Sequence, residues 1–360
     1  MDIKRIIGEQ FNNVIPKDKL DEITNKANQI SNGLLDNISV DSILDNTIKG
    51  ESIFEFKSII SNLEDLLLIE VKSALILCVE ILSICIIIGV LNGLSSSFNS
   101  KSVSEISLLI CTMIIIGISI NSFNVTYSLA IDITEIMSKT MEILLPILIG
   151  ILVSTGSIAS GTILSPVLIT ASTITSYLIN NFILPALFIS TILTLINCLT
   201  EKNYVNKLSK LVRKVTISLT GLLLVIFSGI ISIQGLLTET SDGILINTAK
   251  YSISNFIPIV GGFTSDTVEL YIRCMGTIKN VVGIFGIVTL IALISIPLIK
   301  IFLIGLIYKL TAALVEPIST SKISDGLNEM GSCVVSLGAI IIFNSLLFLI
   351  FITTIISIGG

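Results

Sequence analysis

From Ile143 to Thr200 the chain runs for 58 residues without a charged side chain. As one helix this stretch would be about 87 Å long at 1.5 Å per residue. A bilayer core is only about 30 Å thick, so the stretch has to cross a membrane two or three times. A helix buried in a soluble domain keeps a polar face, and this block has none. Pro146, Pro166 and Pro185 each remove a backbone donor, which predicts kinks or breaks. Three short spans near 143–158, 163–179 and 182–199 fit those prolines; two long tilted spans are the alternative. Small residues crowd Ser154–Ser165, where they either form a turn or let two helices approach closely.

The flanking sequence extends the same pattern. Residues 1–65 alternate short apolar groups with charges, and short helices are predicted over Lys19–Ser31 and Ile48–Leu68, with Asn32-Gly33 as a turn between them. In the second, Ile53, Phe56, Ile59, Ile60, Leu63, Leu66 and Leu67 recur at helical spacing, marking an amphipathic helix that leads into the membrane. Spans follow at Ser73–Leu91 and Ile106–Ile131, then a polar link with Asp132, Glu135, Lys139 and Glu142. Beyond the uncharged block, Lys202, Lys207, Lys210, Arg213 and Lys214 form the densest basic cluster, predicted to be a cytoplasmic loop because positive charge is retained inside. A span at Val215–Leu236 comes next. Residues 237–279 read as two amphipathic helices, Ile244–Ile257 and Thr267–Ile278, hinged at Pro258–Gly262. The last spans lie at Asn280–Ile299, with an extension past Pro297 and Lys300 to Tyr308 left open, and within Gly331–Ile358. Thr311–Met330 connects them.

The expected architecture is therefore all-α: a polytopic transmembrane bundle of about seven or eight spans. A polar, amphipathic region at 1–65 precedes a transmembrane domain at 66–360. Three crossings within 143–199 put the amino terminus and residues 237–279 outside; two put the amino terminus inside.

Composition agrees. Hydrophobic residues make up 52% and charged residues 13% of the chain, with mean hydropathy +0.98; soluble domains carry about 25% charged residues. The net charge of −5 comes from residues 1–65, with seven basic and twelve acidic groups, while the remainder holds 14 of each. No basic patch speaks for nucleic acid. Histidine is absent, which removes the commonest general base and metal ligand. There is no phosphate-binding G-x-x-x-x-G-K-[ST] loop. Ser157 and Ser160 have no histidine to activate them. The six cysteines form no C-x-x-C pair and read as small buried hydrophobes rather than a disulfide framework. The expectation is a protein that is not an enzyme and carries no catalytic residues, metal or cofactor; its first partner is membrane lipid.

Three groups of polar residues stand out. Pro258 fixes a dihedral, Gly261 and Gly262 admit conformations closed to other residues, and Ser265 or Asp266 can cap the following helix. With Phe256 these form either a helix-break-helix on the outer surface or a re-entrant or docking element. Glu80 is the only acid well inside a predicted span. It either faces protein or water, as an intramembrane carboxylate should, or sits near the interface beside Lys72. Asn180 and Asn181 are candidates for an interhelical hydrogen bond or a turn, with the turn preferred because Pro185 follows.

The run Ala249-Lys250-Tyr251, Asn255-Phe256-Ile257-Pro258-Ile259-Val260-Gly261-Gly262 and Ser265-Asp266 resembles the stage III sporulation protein AE family of endospore-forming bacteria. Further matching pieces, in order, include Leu144-Leu145-Pro146, Leu164-Ser165-Pro166, Leu184-Pro185, Lys210–Lys214, Ser232–Leu236, Lys279–Gly283 and Tyr308–Ala313. The resemblance spans about residues 60–358 and implies a role in forespore development. The family's protein belongs to a mother-cell membrane complex that meets the forespore's membrane protein across the intermembrane space, as a channel or feeding tube related by analogy to secretion systems. Implied partners are a cytoplasmic ATPase, ring-forming proteins of the intermembrane space and small membrane proteins of the same complex; a homo-oligomer is compatible. The family usually opens with a signal peptide. Met1–Pro16 lacks the apolar run one needs, so the expectation is that the first span serves as export signal or that the chain begins after a processed one. The competing reading is a self-sufficient secondary transporter or channel, with the broken helices near 146–185 and 283–317 as interrupted repeats. Scarce intramembrane charge and the lack of a visible repeat weigh against it.

Overall fold

The computed structural model describes residues 16–30, 40–49, 56–98, 101–199, 204–256 and 261–358. In chain order the helices are α1 (Lys17–Ile30), α2 (Val40–Lys49), α3 (Phe56–Phe98), α4 (Lys101–Ser154), α5 (Ile158–Leu178), a π-helical turn (Ile179–Ile183), α6 (Leu184–Leu199), α7 (Asn206–Phe256), α8 (Gly261–Val315) and α9 (Ser321–Ser357). Among the described residues there is no strand, and six helical rods are long and apolar enough to cross a membrane. The protein is a polytopic helical membrane protein.

The bundle is organised around α9. Half of its most apolar stretch is buried against neighbours, compared with 17% for α7, and it packs on α4, α5, α6, α7 and α8. Small residues make this possible. At the α8–α9 crossing, Gly305 and Gly331 face each other: a β-carbon on Gly331 would lie 2.8 Å from the Gly305 carbonyl oxygen. Close backbone approach through small residues is how helices associate where lipid is as apolar as leucine. Because a backbone oxygen cannot swing aside, Gly331→Ala is expected to destabilise the bundle by about 1–3 kcal/mol, read as a lowered thermal midpoint in detergent. An unchanged midpoint would show that the crossing relaxes freely.

The amino-terminal helices are part of this packing. In α1, Leu20, Ile23 and Ala27 recur at helical spacing and are buried in the main core, on α4 and α8. Ile43 of α2 joins them, and Lys17 reaches Asp41 at 2.7 Å to link the two helices. The helix expected at Lys19–Ser31 is thus present. The one expected over Ile48–Leu68 is divided: α2 ends at Lys49, and α3 starts at Phe56 and continues through the first span, so the boundary drawn at residue 65 falls inside a helix.

The uncharged block resolves into fewer, longer rods than three short spans. The small-residue stretch does both things its composition allows. Gly156, at φ 89°, makes the turn between α4 and α5, a conformation glycine adopts without penalty. Gly161 then lies against Val153 across the turn. Helix runs unbroken from Ile158 to Leu199. Pro146, Pro166 and Pro297 sit inside α4, α5 and α8, which continue through them. Pro185 is accommodated by the π-helical turn just before it, where the Leu184 amide donates to Ile179, five residues back. Wider turns and neighbouring groups commonly accommodate proline in membrane helices. Likewise the separate helices expected at Ile244–Ile257 and Thr267–Ile278 are the end of α7 and the beginning of α8.

Candidate functional site

The polar groups placed within this apolar bundle are the candidate working parts, and the structure sorts them into four sets. The first joins α7 to α9. Glu329 on α9 receives Lys210 at 2.9 Å and Arg213 at 2.8 Å. Arg213 also donates to the Glu329 carbonyl at 3.3 Å and to Cys333 Sγ at 3.5 Å. Beside this pair, Ser209 donates to the Ser190 carbonyl at 2.9 Å, and Ser209 and Thr194 exchange a hydroxyl contact of 2.6 Å, tying α6 to α7. The predicted cytoplasmic loop is therefore largely the first two turns of α7. Lys207 and Lys214 remain exposed there, Lys210 and Arg213 are engaged, and Lys202 lies outside the described residues.

The second set joins α4 to the α5–α6 rod. Thr134 donates to Asn180 Oδ1 at 2.8 Å, and Ser138 donates to Ser176 Oγ at 2.7 Å. Asn181 turns back to the Tyr177 carbonyl at 3.0 Å on its own helix. Asn180 and Asn181 do not form the preferred turn: they occupy the π-helical segment, and Asn180 takes the interhelical alternative. Thr134→Val removes the donor and strands the Asn180 oxygen. The expected loss is about 0.6–1.7 kcal/mol, the range for interhelical bonds in membranes, and Asn180→Leu should recover part of it in the double variant. A Thr134→Val protein with wild-type stability in detergent would show that the bond contributes nothing.

The third set is made of single cations. Lys279 on α8 is 1% exposed and donates to the carbonyl of Ile358, at the end of α9. Lys300 meets Glu70 at 3.1 Å, holding α3 to α8. Sequence reasoning missed both, together with Glu329. Each pairs residues far apart in the chain, and only the charges themselves, isolated in apolar runs, marked them.

The fourth set is what the sequence singled out. Glu80 is exposed on α3, eight residues past Lys72, and is the only charged group between Lys72 and Lys101. The hinge lies between the end of α7 at Phe256 and the start of α8 at Gly261. Pro258 lies outside the described residues, as do the side chains of Phe256, Ser265 and Asp266. Because α8 begins at Gly261, Gly261 and Gly262 are its first residues, and Ser265 and Asp266 stand within its second turn, past the capping position assigned to them. The described residues contain no cluster of three or more potential metal ligands.

This bundle has a named relative. A curated protein of Bacillus subtilis (strain 168), "Stage III sporulation protein AE", is 30% identical over 343 residues, covering 95% of this chain and 86% of that protein. No solved structure matches. The family model described as stage III sporulation protein AE matches residues 38–359, from α2 to the end of α9. The chain, matched from residue 38 to residue 359, belongs to the stage III sporulation protein AE family.

Proposed function

We propose that this protein is an integral membrane component of the channel complex that joins mother cell and forespore, and that forespore development requires it. Family membership across residues 38–359 is the observation that carries this reading. It takes in the entire set of apolar rods rather than a shared fragment. In this reading the protein sits as a multi-pass protein in the mother-cell membrane around the forespore. It works without an enzymatic step or cofactor of its own. A cytoplasmic ATPase, ring-forming proteins of the intermembrane space and small membrane proteins are its partners. The basic start of α7 faces the mother-cell cytoplasm. With α3, α4 and the α5–α6 rod each crossing once before it, the amino terminus and the break between α7 and α8 face the intermembrane space, where a docking role for the hinge belongs.

Deletion of the gene, with microscopy of sporulating cells and a reporter of late forespore expression, tests this. Normal growth and engulfment followed by forespore collapse or loss of late expression is the expected result. Normal sporulation with a nutrient or ion defect in growing cells would replace this reading with the self-sufficient transporter. Solute uptake by the purified protein in liposomes would then be measured.

A further inference from the structure

The outer side of the α3–α4 hairpin carries an open groove of about 550 Å³. Leu75, Ile76 and Val79 of α3 and Ile118 of α4 form its walls, with Lys72 toward one end and Glu80 inside. Glu80 is exposed and makes no hydrogen bond or ion pair with a described residue. It also lies within the otherwise uncharged stretch of α3 that packs on α4. On α3, Glu80 follows Lys72 by eight residues and is the only charged group before Lys101. On α4, Ile118 is 12 residues from Ile106 and 13 from Ile131, the limits of the uncharged run. A carboxylate at such a position is costly against lipid and calls for protein or water.

Symmetry narrows what can cover it. Copies of a membrane protein inserted in one orientation are related by rotation about the membrane normal, so groups that meet must lie at equal depth. A two-fold axis through the groove would set Glu80 against Glu80, a like-charge contact. A head-to-tail contact instead needs a cation at the same depth on another face of the chain. Lys309 meets that requirement. Helices α3 and α8 run parallel: Glu70 meets Lys300, Cys78 accepts from Thr311 at 3.1 Å, and Gly89 lies against Ile318. Glu80 and Lys309 flank the Cys78–Thr311 contact and are level to within about one helical turn. Lys309 stands on an exposed ridge between Leu306, 58% exposed, and Leu310, 47% exposed. Its stem lies over Gly331, and its ammonium has no described partner. One face thus presents an apolar ridge bearing a cation, and another, at the same level, an apolar groove bearing an anion.

We propose that the ridge of one copy, through Lys309, seats in the Glu80 groove of the next, so that the protein assembles head to tail as a ring in the membrane. This rests on the reading of the protein as part of a membrane assembly, and it adds the second copy as a partner. The test uses full-length chains in sporulating cells, one population of molecules carrying Glu80→Cys and another Lys309→Cys, treated in membranes with a short thiol-to-thiol cross-linker. A product of twice the chain mass is expected when both are co-expressed, at least about tenfold above either variant or wild type alone. Glu80→Lys and Lys309→Glu should each lower native oligomer by a similar factor, and the two together in one chain should restore it. Both sites are on the surface, and membrane abundance measured in parallel separates assembly from folding. Equal cross-linking of Glu80→Cys with itself would overturn the head-to-tail contact. So would a product with a different protein, or a monomer throughout. If deletion blocks forespore development yet the charge variants assemble normally, this inference fails while the functional reading stands.

Discussion

Lys279→Glu is expected to prevent the protein from accumulating in the membrane. Lys279 is buried on α8 among Met275, Ile278 and Val282, all with no measurable exposure. Its ammonium is directed at the Ile358 carbonyl, where α9 ends. The last carbonyls of a helix have no partner within it, and together they carry roughly half a negative charge. The lysine answers both needs: it donates to an orphan oxygen and places positive charge at the negative end. A glutamate there brings a like charge into an apolar pocket and leaves the carbonyl unmet. Breaking a buried charged contact costs about 3–5 kcal/mol, against a total stability of about 5–15 kcal/mol. Lys279→Met keeps the volume and removes the charge, so only the hydrogen bond is lost, about 1–3 kcal/mol. Immunoblots of the membrane fraction and thermal midpoints in detergent should rank wild type above methionine above glutamate. A glutamate variant as abundant and stable as wild type would show that the end of α9 is held by other contacts.

What the sequence made legible and what it hid divide along a physical line. Membrane insertion follows from one local fact, the 58 uncharged residues from Ile143 to Thr200, and the alternation of short apolar groups with charges ahead of Asn32-Gly33 was enough to place α1. The small-residue stretch read as a turn or a close helix approach, and Gly156 at positive φ supplies the turn. Misjudged boundaries came from applying to a membrane the punctuation of water-soluble chains. Where no water competes for backbone groups, leaving the helix strands more donors and acceptors than a proline does. Pro146, Pro166 and Pro297 therefore remain within helices, and Pro185 costs only a π-helical turn. The run after Leu236 read as a separate amphipathic helix from Ile244, but α7 carries it without a break to Phe256.

Pairings were hidden for a different reason. Asn180 meets Thr134 across 46 residues and Arg213 meets Cys333 across 120. Nothing local to Asn180 distinguishes a turn former from a hydrogen-bond acceptor; the answer depends on α4 presenting a hydroxyl at the same height. Lys210 and Arg213 likewise read as a free basic loop until Glu329 is seen between them. Orientation arguments from the basic cluster survive, because charge at a membrane face acts before such pairs form.

That arrangement makes Glu329→Lys the second substitution with a large expected effect. The side chains of Glu329 and Arg213 are 17% and 16% exposed, so water screens their attraction little. The lysine would replace an attraction shared by two cations with a cluster of three positive groups between α7 and α9. Arg213 would keep its bonds to the 329 carbonyl and to Cys333, which hold the guanidinium in place and prevent it from swinging away. The expected cost is about 3–5 kcal/mol, enough to loosen the helix that most of the bundle packs on. Lys210 is 49% exposed, and Lys210→Ala should cost no more than about 1 kcal/mol; the contrast assigns the effect to Arg213. Exchange of the pair, Arg213→Glu with Glu329→Arg, restores the attraction but not the carbonyl and sulfur contacts, so a coupling of about 0.5–3 kcal/mol is expected from the double-variant cycle. Unfolding in detergent across wild type, both single variants and the exchange measures it. Additive losses would mean that α7 and α9 are joined by the Ser190–Ser209 hydroxyls and apolar contacts alone, with Glu329 only solvating two nearby cations.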